Sequence, residues 1–253
     1  MTLRAALSIL TLSLLVGCVS GGASGPLASR QGREEAGLAY VQLGLGYLQQ
    51  GLTEQAKAPL GKALALNERD ADAHAALALV FQAEGEPMLA DRHFEKALAI
   101  RSGDTRIRNN YGSFLYAQGR FGEAQAMFRQ AAADTLYPER SRVYENLGLT
   151  ALKLGQGEQA RDYLEKALRL NQRQPKALLE MAELSYENRH YVPARDYYDR
   201  FSQLSDQNAR SLLLGSRLAR ALDDRGDAAR LGQQLQRLYP GTPEYQQYLS
   251  EQR

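Results

Sequence analysis

The sequence predicts an all-α fold, a right-handed superhelix of about six helix hairpins. Three observations carry that expectation. A small residue recurs at Gly44, Ala78, Gly112, Gly148 and Ala182, in steps of 34, 34, 36 and 34 residues. Twelve residues after each comes an alanine (Ala56, Ala90, Ala124, Ala160, Ala194), and sixteen after each a large side chain (Leu60, Phe94, Phe128, Leu164, Tyr198). Between the two halves of each copy stands a turn residue: Gly51, Gly85, Gly119 and Gly155, with Arg189 in the fifth copy.

The copy at Ser141–Gln174 shows the logic most clearly. Tyr144, Leu147, Gly148 and Ala151 share one face of a first helix. Gly155 and Gly157 punctuate a turn. Ala160, Leu164 and Ala167 share a face of a second helix. Gly148 and Ala160 are small where two backbones must approach, and the leucines fill the space around them. A hairpin this short cannot bury its own apolar face and needs copies of itself as neighbours. A 34-residue period with these residues is the tetratricopeptide signature. Tryptophan is absent, and Tyr40, His74, Arg108, Tyr144 and Leu178 occupy its usual place.

Composition agrees with a packed scaffold. The chain has 253 residues, 44% of them hydrophobic, enough for a substantial core. A formal charge of +2 argues against an electrostatically driven nucleic-acid binder. One cysteine excludes an internal disulfide, and with three scattered histidines no Cys/His metal cluster is expected.

In chain order, residues 1–17 read as a lipoprotein signal peptide. Arg4 precedes an apolar run, Ala5–Val16, too short to span a bilayer. It ends in Leu15-Val16-Gly17-Cys18, which resembles the bacterial lipobox. There the thiol is acylated and becomes the new N-terminus, so Cys18 is the expected lipidation site. Buried acyl chains contribute about 0.8 kcal/mol per CH₂, so several chains hold firmly. By resemblance to lipoprotein sorting, Val19 after the cysteine implies the outer membrane, with the mature chain facing the periplasm. Residues 18–36 follow as lipidated cysteine and flexible tether; Val19–Gly32 is rich in Gly and Ser, with a typical reach of roughly 20 Å.

The repeats follow as 37–70, 71–104, 105–140, 141–174 and 175–208. The third is two residues longer, near Asp134–Pro138, which lengthens its connection to the fourth. A divergent sixth spans 209–242; it keeps Gly215 and Gly226, but Ala228-Ala229, Leu231, Leu235 and Leu238 fall out of register. Terminal repeats are atypical because one face caps the stack. Residues 243–253 form a tail in which Tyr245–Leu249 suggests a short helix.

No catalytic constellation, cofactor motif or metal-ligand set stands out. Serines lack a Gly-x-Ser-x-Gly setting and no phosphate-binding glycine loop occurs. His74 and His93 lie at opposite ends of the second hairpin's pattern and His190 beside the fifth turn, all read as packing or surface imidazoles. Arg225-Gly226-Asp227 resembles an adhesion tripeptide but falls at the expected inter-helix turn. Six arginines make the last repeat basic, which reads as a solvated capping face, or else as a site for anionic lipid or an acidic partner.

First-helix positions 2, 5, 9 and 12 are expected to line an open groove. In the first repeat they are Leu38, Val41, Leu45 and Leu48, all aliphatic. With Leu79 and Gln82 of the second repeat, they form the expected partner-binding groove. The competing expectation is that residues 27–36 fold back and cover the patch. Arg106, Asn109, Ser113 and Tyr116 form a secondary, polar groove. The chain is expected to be monomeric before a protein partner binds.

One stretch goes beyond a generic repeat: Asn109-Asn110-Tyr111-Gly112, Phe114-Leu115, Gly119-Arg120, Tyr137-Pro138 and Tyr144-Glu145-Asn146 with Gly148. With the lipobox and the repeat number, it resembles the PilF/PilW lipoproteins of type IV pilus biogenesis. The resemblance implies a non-enzymatic pilotin that binds subunits of the outer-membrane secretin and promotes their localisation and assembly. The alternative from the sequence is an envelope adaptor that recruits peptidoglycan hydrolases.

Overall fold

The structure, a computed structural model, describes Leu27 and residues 29–252. The signal peptide and Cys18 lie outside the described residues. Every regular element described is a helix, and the chain divides into two compact units, up to Arg69 and from Asp70.

The first unit holds one hairpin, α1 (Arg30–Gln49) and α2 (Thr53–Leu66). The tether expected to reach residue 36 is shorter, because residues 30–36 are the opening turns of α1. The Ser29 Oγ accepts the Gly32 N–H at 2.9 Å, satisfying one free donor of the helix start. Arg30 to Glu34 and Gln31 to Glu35 then join side chains one turn apart, both at 2.8 Å. These residues therefore extend α1 and do not fold back over it. Gly44 is buried against Leu60, as the small-on-large pattern requires: an added Cβ would lie 2.5 Å from the Leu60 Cγ.

The second unit carries five hairpins and a closing helix. The hairpins are α3 (Ala71–Ala83) with α4 (Pro87–Ile100), α5 (Thr105–Ala117) with α6 (Phe121–Ala132), and α7 (Arg140–Lys153) with α8 (Gly157–Leu170). Then come α9 (Pro175–Glu187) with α10 (Tyr191–Ser202), and α11 (Ala209–Ala221) with α12 (Arg225–Leu238). The last helix, α13 (Pro243–Ser250), packs Tyr245 and Tyr248 against Leu212, Leu213, Leu231 and Leu235. Helix starts follow local chemistry: Asp70, Asp104, Asp224 and Thr242 cap with side-chain oxygens, and Asn208 with Ser211 forms a capping box.

Each hairpin turns on one residue with positive φ. Gly51, Gly85, Gly119 and Gly155 take φ of 70–74°, and Arg189 and Asp223 take 61° and 59° at the same place. Glycine adopts this region without a Cβ penalty, while aspartate is among the side chains that tolerate it. Asp223 corrects the reading of the sixth hairpin. Its turn lies at Leu222–Asp224, so Gly226 is already helical and Arg225–Asp227 is the first turn of α12.

The sixth hairpin also keeps the period. Ser216 and Ala228 are the buried small residues, one repeat beyond Ala182 and Ala194, and the Ser216 hydroxyl donates to the Ala228 carbonyl at 3.1 Å. Gly215 answers a different need. A Cβ there would lie 2.2 Å from the Tyr198 Oη, so this glycine makes room for a phenol reaching from α10. Gly232 does the same for Tyr248, at 2.0 Å.

The core of this unit is a chain of buried apolar side chains passed from hairpin to hairpin. Phe94, Tyr111 and Phe114 pack with ring centroids 5.2–6.2 Å apart, close enough for favourable aromatic pairing. The Tyr111 hydroxyl donates to Asp91 at 2.7 Å, and Arg120 holds the other Asp91 oxygen at 2.8 Å. The two-residue excess of the third repeat sits in the seven-residue connection 133–139, against four residues at 101–104 and 171–174. Asp134 ties that connection down, accepting from the Leu136 N–H at 3.0 Å and the Thr105 hydroxyl at 2.8 Å.

Candidate functional site

The apolar residues singled out on α1 are not equally available. Leu38 is 59% exposed, Leu45 and Leu48 are half-buried, and Val41 is only 4% exposed. Val41 is therefore a packing residue and leaves the expected groove. Leu43, 49% exposed, was not singled out. In later repeats its equivalents Leu77, Tyr111, Leu147 and Met181 are all buried. Leu43 belongs to the first repeat, and the period alone gives no sign that its surroundings differ. Leu79 and Gln82 lie on α3 in the second unit; Leu79 packs partly against the core and Gln82 is exposed.

The polar set on α5 also divides. Arg106 is ion-paired with Asp72, which Arg101 also holds at 2.9 Å. Asn109 is 8% exposed, and its Oδ1 accepts from the Asn146 side chain at 3.2 Å. Both groups are engaged within the fold, so they do not form an open carboxylate-binding pair. Ser113 and Tyr116 remain accessible. They line a pocket of about 220 Å³ with Asn146, Leu149 and Lys176. Burial pushes the Tyr116 phenol above its usual range, so it acts as a neutral hydrogen-bonding group.

Further along, α9, α11 and α13 enclose a cleft of about 330 Å³ lined by Glu183, Tyr186, Arg210, Leu213, Arg217 and Glu244. Arg210 donates to both oxygens of Glu180 at 2.8 Å and pairs with Glu183. Burial raises the Glu183 carboxyl above the usual carboxylate range, while Arg210 opposes the shift. Arg217 and Arg220 both pair with Glu251, which they hold below that range. Arg230 pairs with Asp227. Most arginines of the sixth hairpin are thus neutralised internally, which favours the solvated-cap reading over a basic lipid-binding face.

His74 and His93 are packing imidazoles, as the sequence suggested. They meet: their Nδ1 atoms are 3.1 Å apart and their ring centroids 5.1 Å apart. Folding α4 back on α3 brings together positions that looked distant along the pattern. Burial, then the His74 ring, depress His93 to about 4, so the His93 ring is uncharged near neutrality. Among the described residues no group of three or more His, Cys, Asp or Glu could hold a metal. No described helix is long and apolar enough to cross a membrane.

These surfaces are side-chain grooves and clefts on paired helices. Tetratricopeptide-repeat family models match residues 104–173 and 145–209. The type IV pilus assembly protein PilF of Pseudomonas aeruginosa is 58% identical over 251 residues, covering 99% of this chain and all of that one. The chain belongs to the PilF family. The solved structure of Pseudomonas aeruginosa PilF is 60% identical and superposes with a TM-score of 0.85, covering 87% of this chain and 99% of that one. PilW, described as a widely conserved type IV pilus biogenesis factor, is 30% identical with a TM-score of 0.73, over 84% of this chain and 98% of PilW. The PilF-family chain is therefore a tetratricopeptide scaffold of type IV pilus biogenesis, a class that works by binding protein partners.

Proposed function

We propose that the chain is a pilotin: an outer-membrane lipoprotein, anchored through acyl chains on Cys18 and facing the periplasm. It binds secretin subunits and promotes their localisation and multimerisation. The observation that carries the binding half is on α1, where Leu38 is largely exposed and Leu45 and Leu48 are partly so, in a family devoted to pilus assembly. Aliphatic side chains left in water gain free energy when a partner segment covers them. An amphipathic helix or extended segment of the secretin is the fitting occupant. The lipobox supports the anchoring half. Holding scaffold and client at one membrane raises their effective concentration without any new contact.

Two substitutions separate the halves. Cys18→Ser is expected to release the chain from the membrane fraction with its helical signal unchanged, and secretin rings then fail to reach the outer membrane. Leu38→Asp is expected to leave the chain membrane-bound and folded but to weaken secretin capture. Covering a leucine contributes roughly 1.5 kcal/mol or more, so the loss is about tenfold or greater. Normal secretin placement with Cys18→Ser would overturn the lipid half. Co-purification of peptidoglycan hydrolases in place of secretin would overturn the choice of partner.

A further inference from the structure

The longest inter-repeat connection of the second unit forms one wall of a second cleft. Pro138 and Glu139 of that connection face Asn171, Arg173 and Gln174 of the next one, enclosing about 560 Å³, within the usual size range of ligand sites. The charge in this cleft is unevenly used. Arg142 pairs with Glu139 at 3.2 Å, whereas Arg173 and Lys176 make no ion pair with any described residue. Glu145 also lines the cleft. It accepts the Ala177 N–H at 3.3 Å, and burial raises its carboxyl against the opposing charges of Lys176 and Arg142, which leaves Arg173 as the cation with no carboxylate near it.

A second observation is independent of the charges. Gln174 is 5% exposed, and its Nε2 donates to the carbonyls of Ala167 at 2.9 Å and Asn171 at 3.3 Å. Those two acceptors fix the amide's orientation, since a flip would set oxygen against oxygen. Its Oε1 is then buried with no donor. An unsatisfied buried acceptor costs about 1–3 kcal/mol, and buried polar groups are ordinarily partnered. Because the oxygen is buried, a ligand N–H reaches it only if a wall of the cleft gives way. Backbone amide supplies N–H groups, and unpaired Arg and Lys ask for carboxylates. One ligand class has both.

We propose that this cleft receives an extended acidic segment of a partner protein, its backbone N–H directed to Gln174 Oε1 and its carboxylates to Arg173, Lys176 and Arg142. The cleft is built wholly from residues of the second unit and uses none of the α1 leucines. The two-residue excess in the third repeat supplies the cleft wall.

The test is an isotope-edited NMR titration of the mature chain with an end-blocked hexapeptide, Gly-Thr-Asp-Thr-Asp-Gly, and with its Asn-for-Asp counterpart. The acidic peptide is expected to move the Gln174 side-chain amide and the backbone amides of residues 173–177, and to bind at least fivefold more tightly than the neutral one. Arg173→Glu with Lys176→Glu is expected to abolish that preference, and Arg173→Gln with Lys176→Gln to reduce it by an intermediate factor. Both substituted positions, 173 and 176, are exposed, and circular dichroism checks that helix content is unchanged. Equal response to both peptides, no response at Gln174, or the same shifts with inorganic phosphate or phosphatidylglycerol vesicles would overturn the proposal.

Discussion

Gly148→Ala tests the packing logic on which the fold rests. An added Cβ would lie 2.5 Å from Leu164 Cγ, 2.6 Å from its Cδ2 and 3.4 Å from the Ala160 carbonyl oxygen. Leu164 is fully buried, and Cγ is not the free end of its side chain, so it cannot swing out of the way. Overpacking a core in this manner costs about 1–3 kcal/mol, and the close approach puts this site at the upper end. Replacing helical glycine by alanine returns about 1 kcal/mol of propensity. The net is a destabilisation of about 2 kcal/mol, or a fall in Tm of roughly 4–8 °C for a chain of this size. Gly61→Ala is the control, because an added Cβ there meets nothing within 4 Å in the middle of α2. It is expected to raise stability by about 0.5–1 kcal/mol. Thermal and urea unfolding followed by circular dichroism would report both. If Gly148→Ala were as stabilising as Gly61→Ala, the two helices of the hairpin would not approach as closely as argued.

Three further predictions follow from other contacts. His93 is depressed below its unfolded value, so the unfolded chain takes up more protons between pH about 6.5 and about 4; stability should fall as pH is lowered through that window. His93→Leu should flatten that slope in urea midpoints taken at pH 7.5 and 5.0. Tyr198→Phe removes the hydroxyl that meets Gln207 at 3.1 Å, and should cost about 0.5–1.5 kcal/mol in urea unfolding. Glu251→Ala leaves Arg217 and Arg220 without their carboxylate; since all three side chains are 22–31% exposed, the loss should stay near about 1 kcal/mol, with faster hydrogen exchange in α13.

The fold was legible because its rule is local and repeated. Gly148 against Leu164, and Gly112 against Phe128, are small-on-large pairs at a fixed sixteen-residue offset, and the structure packs both. Four features were hidden for physical reasons. The start of α1 lacks apolar periodicity and is held by a Ser29 cap and pairs one turn apart, so composition made it look like tether. The sixth hairpin seemed out of register because its glycines were matched to glycines. Asp223 takes the left-handed turn instead, and Gly215 serves Tyr198. In the candidate grooves, helical position identified a face but not its occupancy. Val41 is buried, Asn109 bonds Asn146, and Arg106 pairs with Asp72. Long side chains reach between repeats, so those pairings depend on the neighbouring hairpin and not on the local pattern. The unpaired Gln174 oxygen had no sequence signal at all, because it depends on where two carbonyls fall.

The central claim is that a membrane-anchored chain captures a secretin subunit through exposed leucines of α1. The direct measurement is site-specific photocrosslinking from position 38 in intact membranes, with the adduct identified by mass spectrometry. The account predicts a secretin adduct that disappears when Leu45→Asp and Leu48→Asp are introduced together. An adduct with a peptidoglycan hydrolase, or a secretin adduct undiminished by those substitutions, would contradict it.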